Sequence, residues 1–346
     1  MRDDFFALGG NSLLAVRLLA RVEQETGQRI PIVRLFEGRT VERMAAFLGR
    51  ADRAESDSSL VLLQPAPAGE PLFWVHPAGG GVLCYMELLR HLPGHPSYGF
   101  EARGRSGPEP PLASIPEMAT RYLHELRGVQ PEGPYRLLGW SMGGLVAFEM
   151  AQRLLAEGEE VALLGLLDAR APVAEPAPAP LDEVAILLGF AQDLGLPRDR
   201  LAALRDRAHE GTDAILTSII ELAQGDGLLP PDFGLAAARR HLEVFRANAA
   251  ASCEYRPRIY PGPIALFRAA DAPVNGDDPD LGWGGLAAGG VTVHAVPGTH
   301  HTLVREPHAR ALAQRLAETL GAFASALLTA QERNYIQPVP VVDDPH

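Results

Sequence analysis

The sequence predicts an α/β protein whose central sheet is mostly parallel, and two observations lead to that prediction. Short, continuous apolar runs alternate with helical segments from residue 72 onwards. Strands of this kind are typical of a parallel sheet that is covered by helices on both faces. The hydrophobic fraction of 47% is large enough for a sizeable core and lies well above that of disordered chains.

Six apolar runs are predicted as strands, and helical patterns lie between or after several of them. The predicted strands are Leu72–Val75, Tyr98–Phe100, Tyr135–Leu138, Val161–Leu167, Ile264–Phe267 and Val291–Val296. The helical patterns include Met142–Glu157 and Arg305–Thr319. We expect these elements to form one domain over residues 71–330.

The alternation of strands and helices is interrupted once, after Asp168. Helical segments are predicted there at Leu181–Leu194, Thr212–Ala223 and Leu235–Ala250. An insertion of this length, about residues 171–260, predicts a helical lid over one end of the sheet.

The N-terminal residues 1–50 carry two helical patterns that are too short to form a core of their own. One follows Ser12 and ends at Gly27, and the other runs from Thr40, a predicted N-cap, to Leu48. We therefore expect a partial all-α domain. The next stretch, 51–70, is polar and then rich in Pro and Ala, which predicts a linker, and residues 331–346 are expected to form a flexible tail.

Composition and charge exclude several kinds of chemistry and partner. All 31 basic residues are arginines, so a Schiff-base lysine, a P-loop lysine and a kinase-type lysine are excluded. A net charge of −12 argues against nucleic acid and anionic membranes, and the apolar runs are too short to span a bilayer. Cys84 and Cys253 are too few for a disulfide framework or a metal site, and the chain starts without a secretory signal. We expect a cytoplasmic protein without a metal.

One motif places a serine between a predicted strand and a predicted helix. The residues Gly139-Trp140-Ser141-Met142-Gly143 match the pattern G-x-S-x-G. In that context a sharp turn lifts the serine hydroxyl above the sheet edge, and the flanking glycines let strand and helix cross closely. Ser141 is therefore the candidate nucleophile.

A serine nucleophile needs a base, and the base needs an acid that orients it. Asp168 ends a predicted strand at the carboxyl edge, where catalytic groups of open α/β sheets gather, although a helix N-cap or turn residue also suits this position. The base is expected just after the last strand, where His300 and His301 are adjacent. Only one of them can point at Ser141, and we expect His301 to pack or to face solvent.

The oxyanion formed during acyl transfer needs at least two backbone donors. One is expected from the amide of Met142, which follows the nucleophile. The other is expected from the loop His76–Gly81, whose three consecutive glycines let the backbone fold close over a substrate carbonyl. A plain glycine-rich turn is the alternative for this loop. His76 precedes a proline and is expected to brace the loop.

Four segments together resemble the type I thioesterase domain of nonribosomal peptide synthetases, which has the α/β-hydrolase fold: Leu72–Tyr85, Tyr135–Ala147, Gly165–Asp168 and Pro297–Leu303. The resemblance covers about residues 70–330 and implies that the insertion is the variable lid of that family. It further implies Ser141 as nucleophile, Asp168 as acid and His300 as base, with the amides of Ala78 and Met142 as the oxyanion hole.

The segment Asp4–Ala15 separately resembles the signature of a peptidyl carrier domain, whose serine receives 4′-phosphopantetheine. That serine is Ser12, at a predicted helix N-terminus, where backbone amides and the helix dipole favour a phosphodiester. A plain N-cap serine is the alternative. Carrier domains have a further helix before this signature, so we expect a carrier that lacks its first helix. The resemblance implies a phosphopantetheinyl transferase and upstream condensation and adenylation modules as partners.

These resemblances imply an enzyme of nonribosomal peptide biosynthesis, such as that of an antibiotic or a siderophore. It would release a peptidyl thioester from the phosphopantetheine arm through an acyl-enzyme. Whether release is completed by water or by an amine or hydroxyl of the bound peptide stays open. Two alternatives remain: a free-standing serine esterase or lipase-like hydrolase, and a non-catalytic docking fragment.

Overall fold

The computed structural model describes residues 41–48, 58–105, 109–172, 182–271 and 278–335, together with scattered residues between 3 and 40. The strands among these residues are β1 (Leu60–Gln64), β2 (Leu72–Val75), β3 (Ser97–Phe100), β4 (Tyr135–Trp140), β5 (Val161–Leu167), β6 (Ile264–Ala269) and β7 (Val291–Val296). They form one sheet in the order β1-β3-β2-β4-β5-β6-β7. β1 is antiparallel to β3, and the other neighbours are parallel. The predicted mostly parallel sheet is thereby confirmed.

The helices whose bounds lie within the described residues are α1 (Val41–Phe47), α2 (Met86–Leu89), α3 (Ile115–Val129), α4 (Met142–Ala156), α5 (Glu183–Asp193), α6 (Arg198–Asp206), α7 (Thr212–Gly225), α8 (Leu235–Glu254) and α9 (Ala309–Tyr335). Short 3-10 turns lie at Leu83–Tyr85 and Ala208–Glu210. Within the described ranges, a helix with the length and apolar character needed to cross a membrane is absent.

Helices cover both faces of the sheet, as the continuous apolar strands predict. In β2 the side chains alternate: Phe73 and Val75 pack with residues of α3 and α4, whereas Leu72 and Trp74 pack with residues of α9. All four side chains of this strand are fully buried. The two faces therefore carry separate hydrophobic cores, and the strand ends are left free to hold a site.

The helices α5 to α8, residues 183–254, lie between β5 and β6 in the chain, and we call them the helical insertion. They share a hydrophobic core of their own, which includes Phe190, Ile219 and Phe245. Three of these helices were expected from the sequence. The fourth, α6, was not, because only Leu201 and Leu204 among its nine residues are buried and five of the others are charged.

The structure differs from the sequence analysis in two stretches. β1 lies inside the predicted 51–70 linker, where it pairs with β3 and buries Val61 and Leu63. Its apolar run is short and lies between polar and Pro-rich residues, so the strand is defined by its pairing with β3 rather than by local composition. Helix α9 continues to Tyr335, past the predicted start of the flexible tail at residue 331.

The described part of residues 1–50 is helical where it was expected to be. Helix α1 begins after Thr40, whose side-chain oxygen accepts a hydrogen bond from the Arg43 amide at 3.3 Å, so the predicted N-cap is confirmed. Met44 of this helix packs with Leu19 and Leu35 in a small buried cluster. The candidate attachment residue Ser12 lies outside the described residues.

Candidate active site

Ser141 lies at a sharp turn between β4 and α4. Its backbone has a φ of 56° and a ψ of −126°, a region that costs a residue with a side chain on the order of 1–3 kcal/mol. Two backbone hydrogen bonds hold the turn: Ser141 donates to the Leu167 carbonyl at 3.0 Å and accepts from the Gly144 amide at 3.0 Å. The neighbouring strand and the following helix therefore stabilise a conformation that the residue itself disfavours.

The two glycines of the motif allow strand and helix to cross closely. A Cβ atom added to Gly139 would lie 2.2 Å from the carbonyl of Gly143. A Cβ atom added to Gly143 would lie 2.5 Å from the carbonyl oxygen of Val75 and 2.6 Å from that of His76. The close crossing predicted from the motif is confirmed, and it brings the N-terminus of α4 against the loop that follows β2.

The structure brings Ser141, His300 and Asp168 together. The Nε2 atom of His300 lies 3.0 Å from Ser141 Oγ, and its Nδ1 atom lies 2.8 Å from Asp168 Oδ2. Because a carboxylate can only accept, Nδ1 carries the proton and the Nε2 lone pair is directed at the serine hydroxyl. This arrangement can deprotonate a serine as it attacks a carbonyl carbon.

Asp168 is fixed in the position that orients His300. It follows β5 with a φ of 45°, and its amide donates to the Phe267 carbonyl at 2.8 Å. Its Oδ1 atom accepts a hydrogen bond from the Ala269 amide at 2.9 Å, which leaves Oδ2 for His300. The side chain is only 9% exposed. The carboxylate is thus held by β6 and the histidine, and it caps none of the helices in the described ranges.

Trp140 contacts His300 in two ways, although the sequence analysis gave it no role. Its indole Nε1 donates to the His300 carbonyl at 3.0 Å, and the two rings lie with their centroids 5.7 Å apart. The residue therefore fixes the backbone that carries the candidate base. Its only sequence signal was its place directly before Ser141 in the motif.

His301 lies beside the site without joining the chain of hydrogen bonds between Asp168, His300 and Ser141. Its ring packs edge-on against His300 with a centroid separation of 5.0 Å. Burial, together with the neighbouring His300, lowers the pKa of His301 to about 4, so the ring is neutral at pH 7. The expectation that His301 packs agrees with this position.

The candidate oxyanion amides, those of Ala78 and Met142, belong to two segments that meet near Ser141. Met142 is the first residue of α4, and Ala78 lies in the loop after β2, against which α4 begins. Among the described residues, neither amide donates a hydrogen bond to another protein atom. Both N–H groups are thus available to a ligand, as an oxyanion hole requires. Their catalytic role stays a prediction.

Two buried side chains hold the end of β2 and the loop that follows it. His76 donates from Nδ1 to the Pro77 carbonyl at 2.8 Å and accepts at Nε2 from the Tyr122 hydroxyl at 2.8 Å. Burial lowers the pKa of His76 to about 4 and keeps the ring neutral. Tyr85, which the sequence analysis missed, donates to the Val75 carbonyl at 2.5 Å and accepts from the Trp140 amide at 3.0 Å. His76 therefore braces the loop, as predicted, and is not free to act as a base.

Comparison with protein families gives two matches that divide the chain. Residues 70–321 match the thioesterase domain family, and residues 2–48 match the phosphopantetheine attachment site family. The dimodular nonribosomal peptide synthase of Bacillus subtilis (strain 168) is 36% identical over 279 residues, which are 78% of this chain and 11% of that protein. The chain therefore spans about a tenth of the length of this relative.

Solved structures give the same division. A holo four-domain nonribosomal peptide synthetase bound to AMP and glycine aligns with a TM-score of 0.70 and 31% identity, over 92% of this chain and 24% of that chain. The NocB thioesterase domain, in covalent complex with a fluorophosphonate nocardicin G analogue, aligns with a TM-score of 0.57 and 28% identity. That alignment covers 76% of this chain and 100% of the NocB domain.

Proposed function

Because this chain belongs to the thioesterase domain family and carries a phosphopantetheine attachment segment, we propose that it releases a peptidyl chain from a carrier-bound thioester in nonribosomal peptide biosynthesis. One observation carries the proposal: Ser141, His300 and Asp168 are joined by hydrogen bonds of 3.0 and 2.8 Å. They lie at the carboxyl ends of parallel strands, where open α/β sheets bind their substrates.

In the first half of the reaction, Ser141 Oγ attacks the thioester carbonyl carbon while His300 Nε2 takes its proton. The negative charge that develops on the carbonyl oxygen is stabilised by the amides of Ala78 and Met142. The carbon–sulfur bond then breaks, and the departing thiolate receives the proton from His300. The acyl group is left as an ester on Ser141.

In the second half, His300 takes a proton from an incoming nucleophile, which attacks the ester carbonyl of the acyl-enzyme. When the tetrahedral species collapses, Ser141 Oγ leaves and recovers the proton from His300. Water as the nucleophile gives a linear acid, whereas an amine or hydroxyl of the peptide gives a lactam or lactone. Exclusion of water from the site favours the second outcome.

We assign Ser12 as the residue that bears 4′-phosphopantetheine. The match over residues 2–48 and the signature Asp4–Ala15 support this assignment. When bound, the group presents the peptidyl chain as a thioester. The residues at Ser141 fit such a group, since they combine a hydroxyl nucleophile, a base and two nearby amides that donate to no described protein atom.

The partners that this assignment requires are a phosphopantetheinyl transferase and upstream synthetase modules that build the peptide. The multidomain relatives support the upstream modules. We place the reaction in the cytoplasm, which is consistent with Cys84 and Cys253 both being free thiols.

The proposal is tested with Ser141→Ala and a fluorophosphonate probe. The wild-type chain should gain one phosphonyl group at Ser141 and should cleave a synthetic peptidyl-pantetheine thioester. The variant should not be labelled, and its turnover of the thioester should fall on the order of 10⁴-fold or more. Intact-mass spectrometry and release of the free thiol provide the two measurements. Ser12→Ala is the matched control, since it removes a serine hydroxyl outside the triad and should change neither result.

The alternatives are separated by the same experiment when turnover of small esters and of carrier-bound chains is measured beside it. Undiminished thiol release by Ser141→Ala would contradict the assignment of the nucleophile. Fast turnover of small esters with no preference for carrier-bound chains would favour a free-standing esterase. Failure of the wild-type chain to react with the probe would favour a non-catalytic docking fragment.

A further inference from the structure

The helical insertion contacts the loop after β2 through two polar side chains. Asn248 of α8 donates from Nδ2 to the Ala78 carbonyl at 2.8 Å. Asp193, the last residue of α5, accepts at Oδ1 from the Gly79 amide at 3.3 Å. Two different helices of the insertion therefore contact two neighbouring backbone groups of the loop that holds a candidate oxyanion donor.

These two backbone groups are the ends of one peptide bond. The Ala78 carbonyl and the Gly79 amide lie in a single rigid plane. Because Asn248 holds one end of that plane and Asp193 holds the other, the plane cannot rotate while the insertion is docked. The preceding plane carries the Ala78 N–H and shares the Ala78 Cα with the anchored plane, so the two contacts fix one end of the plane that holds this N–H. His76 holds the same plane at the Pro77 carbonyl.

The loop is shaped to receive these contacts. A Cβ atom added to Gly79 would lie 1.7 Å from Asp193 Oδ2, so this carboxylate can approach only a glycine. At the next residue, Gly80 has a φ of +77°, and an added Cβ would lie 2.7 Å from Val244 Cγ1 of α8. Side chains of the insertion thus contact three consecutive residues of the loop, Ala78, Gly79 and Gly80.

Burial and charge make the two polar contacts costly to break. Asn248 is only 1% exposed, so loss of its partner would leave a buried amide without a hydrogen bond. Burial raises the pKa of Asp193, while the nearby Arg105 guanidinium opposes that shift. Arg105 also donates to the Gly79 carbonyl at 3.0 Å, which restrains the other side of the same residue.

We propose that Asn248 and Asp193 are positioning residues of the oxyanion hole, through which the docked helical insertion orients the Ala78 amide for catalysis. The inference rests on the proposed function, because it takes the Ala78 amide as an oxyanion donor. By this route the insertion acts on the rate of acyl transfer itself and not only on access to Ser141.

A positioning role predicts a specific kinetic pattern. The oxyanion forms with the tetrahedral species and is absent from the bound substrate, so a misdirected Ala78 amide lowers kcat and leaves KM nearly unchanged. Loss of one oxyanion donor costs about 10²–10³-fold in kcat. We expect Asn248→Ala and Asp193→Ala each to lower kcat by roughly 10- to 100-fold, because each leaves the other contact in place.

Two further variants separate positioning from general damage to the fold. Asp193→Asn keeps an oxygen acceptor for the Gly79 amide and should recover most of the activity lost in Asp193→Ala. Gly79→Ala leaves both insertion residues unchanged but displaces Asp193 sterically, so it should lower kcat about as much as Asp193→Ala. Asp213→Ala is the matched control: it breaks an exposed ion pair with Arg239 inside the insertion and does not contact the loop.

The experiment measures kcat and KM with the N-acetylcysteamine thioester of an acyl amino acid, and the rate constant of fluorophosphonate labelling of Ser141. We expect labelling rates to fall in parallel with kcat, since the phosphonyl adduct carries its oxygen where the oxyanion forms. Asp193→Ala combined with Gly79→Ala should be no slower than either change alone, because both remove the same contact.

Two results would overturn the inference while the proposed function stands. The first is a wild-type chain labelled at Ser141 whose variants are labelled at the wild-type rate. The second is a rise in KM at constant kcat, which would assign Asn248 and Asp193 to substrate binding. Failure of the wild-type chain itself to become labelled would instead overturn the proposed function.

Discussion

His300 is restrained at several points, and this distinguishes it from its neighbour. Asp168 holds its ring nitrogen, and the Trp140 indole holds its carbonyl. A base that accepts and returns a proton twice in each turnover must keep one orientation throughout. His301 packs on the ring of His300 and has no hydrogen-bond link to Ser141.

Separate alanine variants of the two histidines should therefore differ widely. We expect His300→Ala to reduce the rate of acyl-enzyme formation on the order of 10⁴-fold or more. We expect His301→Ala to reduce it by less than about tenfold, since a neutral ring that only packs contributes no proton transfer. Rapid-quench mass spectrometry of the acylated chain gives both rates. Equal losses in the two variants would leave the choice of base without support.

The triad residues could be predicted from the sequence because each has a local signal. Ser141 lies in a motif between a strand and a helix, and Asp168 directly follows an apolar strand. Asp193 and Asn248 had no such signal. They lie 114 and 170 residues from their partners in the loop, and in the sequence they are ordinary polar residues of amphipathic helices.

At the scale of elements, the site depends on the crossing of α4 with β2 and β4. The N-terminus of α4 contacts the carbonyls at the end of β2 because Gly143 has no side chain. This contact brings the Met142 amide and the loop after β2 to the same place. The motif predicted the crossing, whereas β1 could not be predicted, since its short apolar run becomes a strand only by pairing with β3.

Gly143→Ala tests this crossing. The added methyl group would meet the Val75 and His76 carbonyl oxygens, so we expect a loss of about 1–3 kcal/mol in the free energy of unfolding and a fall in kcat. Urea denaturation and thioester turnover are the measurements.

Gly128→Ala in α3 is the control, because an added Cβ meets nothing within 4 Å there. It should stabilise the fold by roughly 0.5–1 kcal/mol. Wild-type stability and turnover in Gly143→Ala would contradict the crossing described here.

At the scale of the whole molecule, the chain contains two segments that match different families, and each has one candidate serine. Residues 2–48 include Ser12, and residues 70–321 include Ser141. The two serines are expected to carry the acyl chain in succession, as a thioester on the arm of Ser12 and then as an ester on Ser141. Neither role requires a lysine, which is consistent with the absence of that residue from the chain.

Loading at Ser12 can be measured independently of release at Ser141. After incubation with a phosphopantetheinyl transferase and coenzyme A, the intact mass of the chain should rise by one phosphopantetheine group. Ser12→Ala should abolish this mass increase, and Ser141→Ala should retain it, because only the first removes the acceptor hydroxyl. An unchanged mass for the wild-type chain would contradict the assignment of Ser12.

The contact between the helical insertion and the loop after β2 also bears on protein engineering. A chimaera that receives the insertion of another thioesterase would exchange α5 and α8 but keep the loop of this chain. The donor would have to supply an acidic side chain at position 193 and a side-chain amide at position 248. Without them, the chimaera would fold with no side chain of the insertion bonded to the Ala78–Gly79 peptide. The insertion and the loop after β2 should therefore be exchanged together, and chimaeras made in this way should keep their turnover.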